Sequence, residues 1–172
     1  MEIILSLHNI RSTYNVGAIL RTAEGLGVEQ VICSGYTPSP LDPNCLPHVA
    51  DKVARQIEKT SLGAEKYIPI TWTDDPKKLY KRFKEDGYQI IGLENRIDDG
   101  RKFTLGSPSL LSRLKQKAVL ILGEEVYGID KSLYDDIDLF IEIPMVGVKE
   151  SFNVSVAAGI ALFALKTAFW NG

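Results

Sequence analysis

Leu120-Ile121-Leu122-Gly123-Glu124-Glu125-Val126-Tyr127-Gly128, followed by Ile143-Pro144-Met145 and then by Ser151-Phe152-Asn153-Val154-Ser155, is the stretch on which the reading of this chain turns. Two apolar runs, at 119–122 and 139–143, have the length and β-branched character of buried strands. Each is left by a segment of Gly, Pro, Glu, Ser or Asn, and the second of these opens an apolar helix over 151–169. Ser and Asn are poor helix-interior residues but good ones in a first turn, where they bond orphan backbone groups. Two such loops leaving neighbouring strands imply a pocket built from backbone amides and carbonyls, suited to a small hydrogen-bonding ligand.

The same alternation extends toward the N-terminus. Strands are predicted at 2–7, 30–34, 67–72 and 89–93. A helix is predicted from about 15 to 26, with Val16, Ile19, Leu20 and Ala23 on one stripe, Asn15 as N-cap and Gly27 as the C′ residue. A Pro-rich loop (Pro38, Pro40, Pro43, Pro47) precedes a helix at 49–59. Asp74 caps a helix with Pro76 in its first turn, stopped by Gly87, and a further helix is read at 108–115. Continuous apolar strands alternating with helices imply an α/β fold: a mostly parallel sheet with helices on both faces. The last helix is apolar nearly all round (Val156, Ile160, Leu162, Phe163, Leu165, Phe169, with Trp170 beyond). Such a helix has to be covered on more than one side, and a second subunit is a reasonable cover.

Composition narrows the function classes. A chain of 172 residues, 45% hydrophobic and 24% charged, is read as one domain with a substantial core. A formal net charge of -2 gives no whole-molecule field for nucleic acid, so any RNA site has to be a local patch. Cys33 and Cys45 lack metal spacing and are read as reduced thiols of a cytoplasmic protein. His8 and His48 stand alone, which disfavours a histidine metal centre. The chain opens without a charged-then-apolar leader, and its longest apolar run, 154–169, is short of the ~20 residues of a membrane span. The expectation is no membrane association. A dinucleotide site is disfavoured because no G-x-G-x-x-G joins a strand to a helix.

Four segments together resemble the SpoU (TrmH-like) RNA 2′-O-ribose methyltransferases of the SPOUT superfamily. They are Asn15-Val16-Gly17-Ala18-Ile19-Leu20-Arg21-Thr22, Lys59-Thr60-Ser61-Leu62-Gly63-Ala64, the G-x-E-x-x-G of Gly123 to Gly128, and Ile143-Pro144-Met145 with Ser151-Phe152-Asn153-Val154-Ser155. They occur in the family's order and cover almost the whole chain. Phe152 replaces the usual leucine, and the N-terminal RNA-binding extension of many relatives is missing, so 1–172 reads as a single methyltransferase domain. The resemblance implies an α/β-knot with a threaded C-terminal segment, a homodimer, and S-adenosylmethionine as methyl donor to tRNA or rRNA. It implies cofactor contacts at Leu93, Gly123, Ile143, Met145, Ser151 and Phe152, and a catalytic group of Asn15, Arg21, Glu125, Ser151 and Asn153.

Chemistry gives these assignments content. Methyl transfer to a ribose 2′-hydroxyl requires alignment of the nucleophile and stabilisation of charge on the 2′-oxygen. Arg21 suits that charge and can clamp a phosphate by a bidentate bond. The family describes it as a general base, but a guanidinium stays protonated in proteins, so charge stabilisation is physically easier. Glu125 would orient Arg21; glycine at 123 would let a ligand approach the backbone; none of the residues needs a metal. Taken singly, each has a plainer reading: Arg21 on a polar helix face, Asn15 and Ser151 as caps, Gly123 and Gly128 as turn residues, Glu125 as a solvated carboxylate. Lys77, Lys78, Lys81, Arg82 and Lys84 read as a solvated helix face. Two alternatives stay open: a base-methylating SPOUT relative and a non-catalytic RNA-binding knot protein.

Overall fold

A computed structural model describes residues 1–169. In chain order the strands and helices are β1 (Glu2–His8), α1 (Thr13–Gly25), β2 (Gln30–Ser34), α2 (Pro47–Ser61), β3 (Ile70–Thr73), α3 (Pro76–Glu85), β4 (Gln89–Leu93), β5 (Lys102–Thr104), α4 (Pro108–Leu111), β6 (Lys117–Leu122), β7 (Leu139–Glu142) and α5 (Val154–Thr167). Short 3-10 segments occupy Ala64–Lys66 and Lys131–Asp136. The described residues form a seven-stranded sheet in the order β3-β2-β1-β6-β4-β7-β5. Every pairing in it is parallel.

Both faces of the sheet are covered, which is why its strands are apolar at successive positions rather than alternately. Ile3, Leu5 and Leu7 of β1 join Leu120 and Leu122 of β6 against Ile19 and Leu20 of α1 and Ala158 and Leu162 of α5. Ile4, Val119, Ile121 and Phe140 face the other way, onto Tyr80 of α3 and onto Leu133 and Ile137. Ser6 points into this second layer, where its Oγ lies 2.8 Å from the Tyr80 hydroxyl. Burial pushes that phenol up to about 12, so the pair is a neutral hydrogen bond that satisfies two groups cut off from water. No helix among the described residues is long and apolar enough to cross a membrane.

Several boundaries shift from the sequence expectation. Helix α1 is capped by Ser12, whose side chain accepts from the Asn15 N–H, so Asn15 is inside the helix and not its N-cap. Its C-terminus ends as expected: Gly27 is left-handed (φ 63°), and the Val28 and Gly27 amides reach back to Ala23 and Glu24. Asp75, not Asp74, caps α3; α4 is one turn, ending at Leu111; α5 begins at Val154 with Asn153 as its cap, so Ser151 lies outside it. The three-residue strand β5 and the Lys131–Asp136 segment lack any sequence period to mark them. Trp170 lies outside the described residues.

Helices α1 and α2 cross with almost no gap. A Cβ at Gly17 would stand 2.2 Å from Thr60 Oγ1 and 2.3 Å from the Ile57 carbonyl oxygen. The Thr60 hydroxyl donates to the Tyr14 carbonyl at 2.9 Å. The Asn15–Thr22 and Lys59–Ala64 segments of the resemblance therefore meet as a helix–helix junction.

His8, at the end of β1, is buried with Nδ1 2.8 Å from Ser34 Oγ. Burial holds its imidazole below the ordinary 6.5, against an opposing pull from the Asp130 carboxylate. Protonation thus favours the unfolded chain, and His8 contributes stability above pH 6.5 that is lost as the pH falls through that value. Urea unfolding at pH 7.5 and 5.5 should show a drop in stability that is smaller in His8→Gln. An equal drop in both proteins would remove His8 from the pH dependence.

Candidate active site

The loops after β1, β4, β6 and β7 all leave the same edge of the sheet, and the last three, with the start of α5, line a cleft of about 100 Å³. Its apolar floor includes Leu93, Leu122 and Ile143, and its rim includes Glu125, Ser151 and Phe152. Five of the six residues expected to hold a cofactor, Leu93, Gly123, Ile143, Ser151 and Phe152, thus line one cavity. Met145 does not; it is half-buried beyond the lining.

The loop after β6 is closed by a reciprocal pair of backbone bonds, with the Glu124 and Gly128 amides each donating to the other's carbonyl at 2.9 Å. That closure explains both glycines. A Cβ at Gly123 would stand 2.4 Å from the Gly128 carbonyl, so the loop's own backbone already demands glycine there. Gly128 is left-handed (φ 75°), and a Cβ there would run into the Glu94 carboxylate at 1.8 Å. Glu94 braces the loop from β4: one carboxylate oxygen accepts from the Ile129 N–H and the other from the Arg96 N–H, each at 3.0 Å.

Asn95 does a similar job for the loop after β7. Its amide pairs with both backbone groups of Ile143, accepting from the N–H at 3.0 Å and donating to the C=O at 2.9 Å. A side chain thereby stands in for one more residue of strand, fixing the start of a segment, 143–153, without regular secondary structure. Neither Glu94 nor Asn95 stands out in the sequence beyond being polar residues directly after a buried strand.

The catalytic group expected from the resemblance divides in two. Asn153 Oδ1 accepts from the Ser155 N–H at 2.9 Å. Its Nδ2 donates to Asn15 Oδ1 at 3.3 Å, and Asn15 Nδ2 donates to Glu125 Oε1 at 2.9 Å. This chain joins the first helix, the loop after β6 and the start of the last helix, and it ends on a carboxylate whose second oxygen, Oε2, is buried without a hydrogen-bond partner among the described residues. Ser151 lies at the cleft rim. Arg21 is not part of this network: it is exposed, and Glu125 bonds Asn15 instead of orienting it. The cause is helical phase, since six residues at ~100° each put Arg21 roughly 120° around α1 from Asn15. Thr22, beside it, faces Gly159 of α5.

Two variants probe this architecture. Asn95→Ala strands the N–H and C=O of buried Ile143 and should cost about 1–3 kcal/mol in denaturant unfolding, whereas a surface role predicts almost none. Gly123→Val should lower stability as well as close the cleft, because its side chain meets backbone; unchanged unfolding would show that the loop can open.

Comparison with known proteins agrees with this geometry. Residues 2–163 match the SpoU rRNA Methylase family. A putative TrmH family tRNA/rRNA methyltransferase of Staphylococcus saprophyticus is 28% identical over 164 residues, covering 95% of this chain and 57% of the relative's length. This chain therefore spans little more than half of that relative. The A. aeolicus TrmH/SpoU tRNA modifying enzyme superposes with a TM-score of 0.75 at 24% identity, covering 97% of this chain and 75% of its own. An AdoMet-bound rRNA methyltransferase from Sinorhizobium meliloti gives a TM-score of 0.73 at 22% identity, covering 99% and 57%. These two likenesses establish the fold, and the match across residues 2–163 establishes the lineage: the chain belongs to the SpoU rRNA methylase family.

Proposed function

We propose that this chain is an S-adenosylmethionine-dependent RNA 2′-O-ribose methyltransferase acting on tRNA or rRNA. The observation that carries the reading is the Asn153–Asn15–Glu125 chain ending on an unpartnered buried carboxylate oxygen at a cleft of mixed polarity. A buried acceptor without a donor asks for a ligand that brings one. The cleft suits the cofactor chemically: Leu93, Leu122 and Ile143 offer apolar surface to a nucleoside, and Glu125 offers negative charge to a cation. At about 100 Å³ it is smaller than the roughly 300–1,000 Å³ of most ligand pockets. On this reading the largely exposed 144–153 segment would move outward to admit the cofactor, and the family's α/β-knot belongs to this same part of the reading.

Leu93, Gly123, Ile143, Ser151 and Phe152 would hold S-adenosylmethionine, with Met145 closing over it after that movement. When bound, the cofactor supplies a methyl group on a positively charged sulfur. The rest falls to the chain's own groups. Glu125 Oε2 accepts a hydrogen bond from a bound donor, and Asn15 holds Glu125 in place. Ser151 and Asn153, beside the α5 N-terminus, favour an RNA phosphate. Arg21 stabilises negative charge developing on the ribose 2′-oxygen.

Arg21 is turned from the Asn15–Glu125 pair of its own chain, and this favours a homodimer in which each Arg21 serves the partner's cleft. Val156, Ile160 and Phe163 support the dimer. They form an exposed stripe at i, i+4 and i+7 of α5, opposite the buried Ala158, Ala161, Leu162 and Leu165, and Phe163 is 58% exposed. Arg21→Ala should lower single-turnover methyl transfer to RNA by about 10²–10³-fold with little change in cofactor binding. Arg21→Lys should rescue poorly, since an ammonium lacks the planar fork. Near-normal rates in Arg21→Ala would refute the role.

Co-expressing Arg21→Ala and Glu125→Gln chains tests the sharing, because mixed dimers then carry one intact composite site and recover activity. No recovery would place both residues' work in one chain. Sedimentation at micromolar protein should show dimer; a stable, folded monomer would count against the shared site.

A further inference from the structure

The junction of the loops after β1 and β2 is built far more rigidly than a surface turn requires. Asn9 is held left-handed (φ 62°) and so is Gly35 (φ 62°). A Cβ at Gly35 would lie 1.9 Å from Asn9 Oδ1, which instead accepts the Tyr36 N–H at 3.2 Å. Thr37, almost fully buried, donates its hydroxyl to the Leu7 carbonyl at 2.9 Å and accepts the Ile10 N–H at 3.1 Å. The Asn9 amide bonds the Ser34 carbonyl at 3.2 Å. Asn and Gly both take up this region readily, and the bonds around them fix the backbone from which Tyr36 projects.

Tyr36 sits at the tip of this junction, 52% exposed. The Arg11 guanidinium lies over its ring, 6.0 Å from the centroid. The same guanidinium stands 2.8 Å from Glu124 Oε1, an ion pair made off the N–H direction, so that this oxygen has no hydrogen bond. Glu124 is a lining residue of the cleft with a side chain only 4% exposed, and its other oxygen accepts the Tyr127 N–H at 3.1 Å. Tyr127, 83% exposed, stands on the rim. Arg11 thus connects an open aromatic ring to the buried Glu124 carboxylate of the candidate site.

We propose that Tyr36 and Arg11 form a stacking platform for one base of a single-stranded RNA segment, next to the nucleotide presented to the cleft. The proposal rests on the RNA-methyltransferase reading and names how that site would grip its substrate. With a formal net charge of -2, the chain has no excess of positive charge with which to draw in a phosphate backbone. Affinity then has to come from local contacts. A rigid aromatic ring under a guanidinium is such a contact, tolerant of base identity because every base has a π-face. The Arg11 side chain is 62% exposed, so its outer N–H groups are open to a phosphate. The exposed groups around Arg11 are two tyrosine rings, Tyr36 and Tyr127, so the display is of π-faces beside a cation, which suits bases better than a broad apolar protein surface.

The test uses the full chain and a fluorescein-labelled, mixed-sequence 12-nucleotide single-stranded RNA, with a 12-base-pair RNA duplex as the second probe. The wild type should bind the single strand more tightly than the duplex. Tyr36→Ala should weaken single-strand binding by about tenfold, and Tyr36→Phe should bind as the wild type does. Arg11→Ala should reduce the salt dependence of binding by about one phosphate contact, whereas Tyr36→Ala leaves that slope unchanged. Thermal unfolding of each variant checks that the fold persists. Wild-type affinity in Tyr36→Ala, equal losses in Tyr36→Phe and Tyr36→Ala, or no single-strand binding by the wild type would each overturn the platform. Methyl transfer from labelled S-adenosylmethionine to bulk RNA is measured in parallel. Weakened binding by Tyr36→Ala without wild-type transfer upholds the platform and removes the methyltransferase reading; transfer with an unchanged KM in Tyr36→Ala does the reverse.

Discussion

In an all-parallel sheet every strand runs the same way, so all the C-terminal strand ends lie along one edge and each connection must return the chain to the other. Here β6 is inserted between β1 and β4, and β7 between β4 and β5. Four loops that are far apart in sequence are thereby forced into contact at a single place. This is the general position of ligand sites in open α/β sheets, where strand order reverses and a crevice opens. The cleft is not carved into the domain; it is what remains between loops that the strand order brings together.

Such crowding has to be made compatible with backbone hydrogen bonding, and the chain uses carboxylates and amides to do it. Glu94 and Asn95 follow β4 directly and serve the loops on either side, one bonding the Ile129 amide and the other copying a strand's pairing to Ile143. Glu124 is occupied by Arg11 and the Tyr127 amide. Glu125 Oε2 has neither a hydrogen bond nor an ion pair among the described residues, whereas Glu124 Oε1, also without a hydrogen bond, faces the Arg11 guanidinium. Of the three carboxylates gathered at the cleft, two are used by the scaffold, and the third is the group the fold leaves for other work.

Much of this was legible in the residues. The central strands were visible as apolar runs because a sheet covered on both faces has no polar side to show. Gly27 ended its helix as expected, and five of the six expected cofactor residues came to one cavity. What escaped was set by competition among neighbours. Ser12, Thr13 and Asn15 are all polar residues near a helix start, and only geometry shows that Ser12 takes the cap and frees the Asn15 side chain for Glu125. Gly123 looked like an opening for a ligand, but its neighbour is Gly128, brought back by the loop's closure. Arg21 and Asn15 sit in one short segment, and their separation around the helix is a matter of phase that adjacency in sequence disguises. Strand β5 has three residues, too few for any period to register.

The insertion of β6 beside β1 also has a history in time. Ile3 pairs with Ala118, so one edge of the first strand waits for a segment made 115 residues later. At about 5–20 residues per second of synthesis, that edge stays unpaired for roughly 6–23 s on the ribosome. Throughout this interval the nascent chain offers an apolar strand, Ile3-Ile4-Leu5, with free amides and carbonyls on one side, which is the form most open to pairing with another molecule. For this protein, then, the hazardous period is during translation, and conditions that slow elongation between residues 34 and 117 should raise aggregation more than those that slow it near either end.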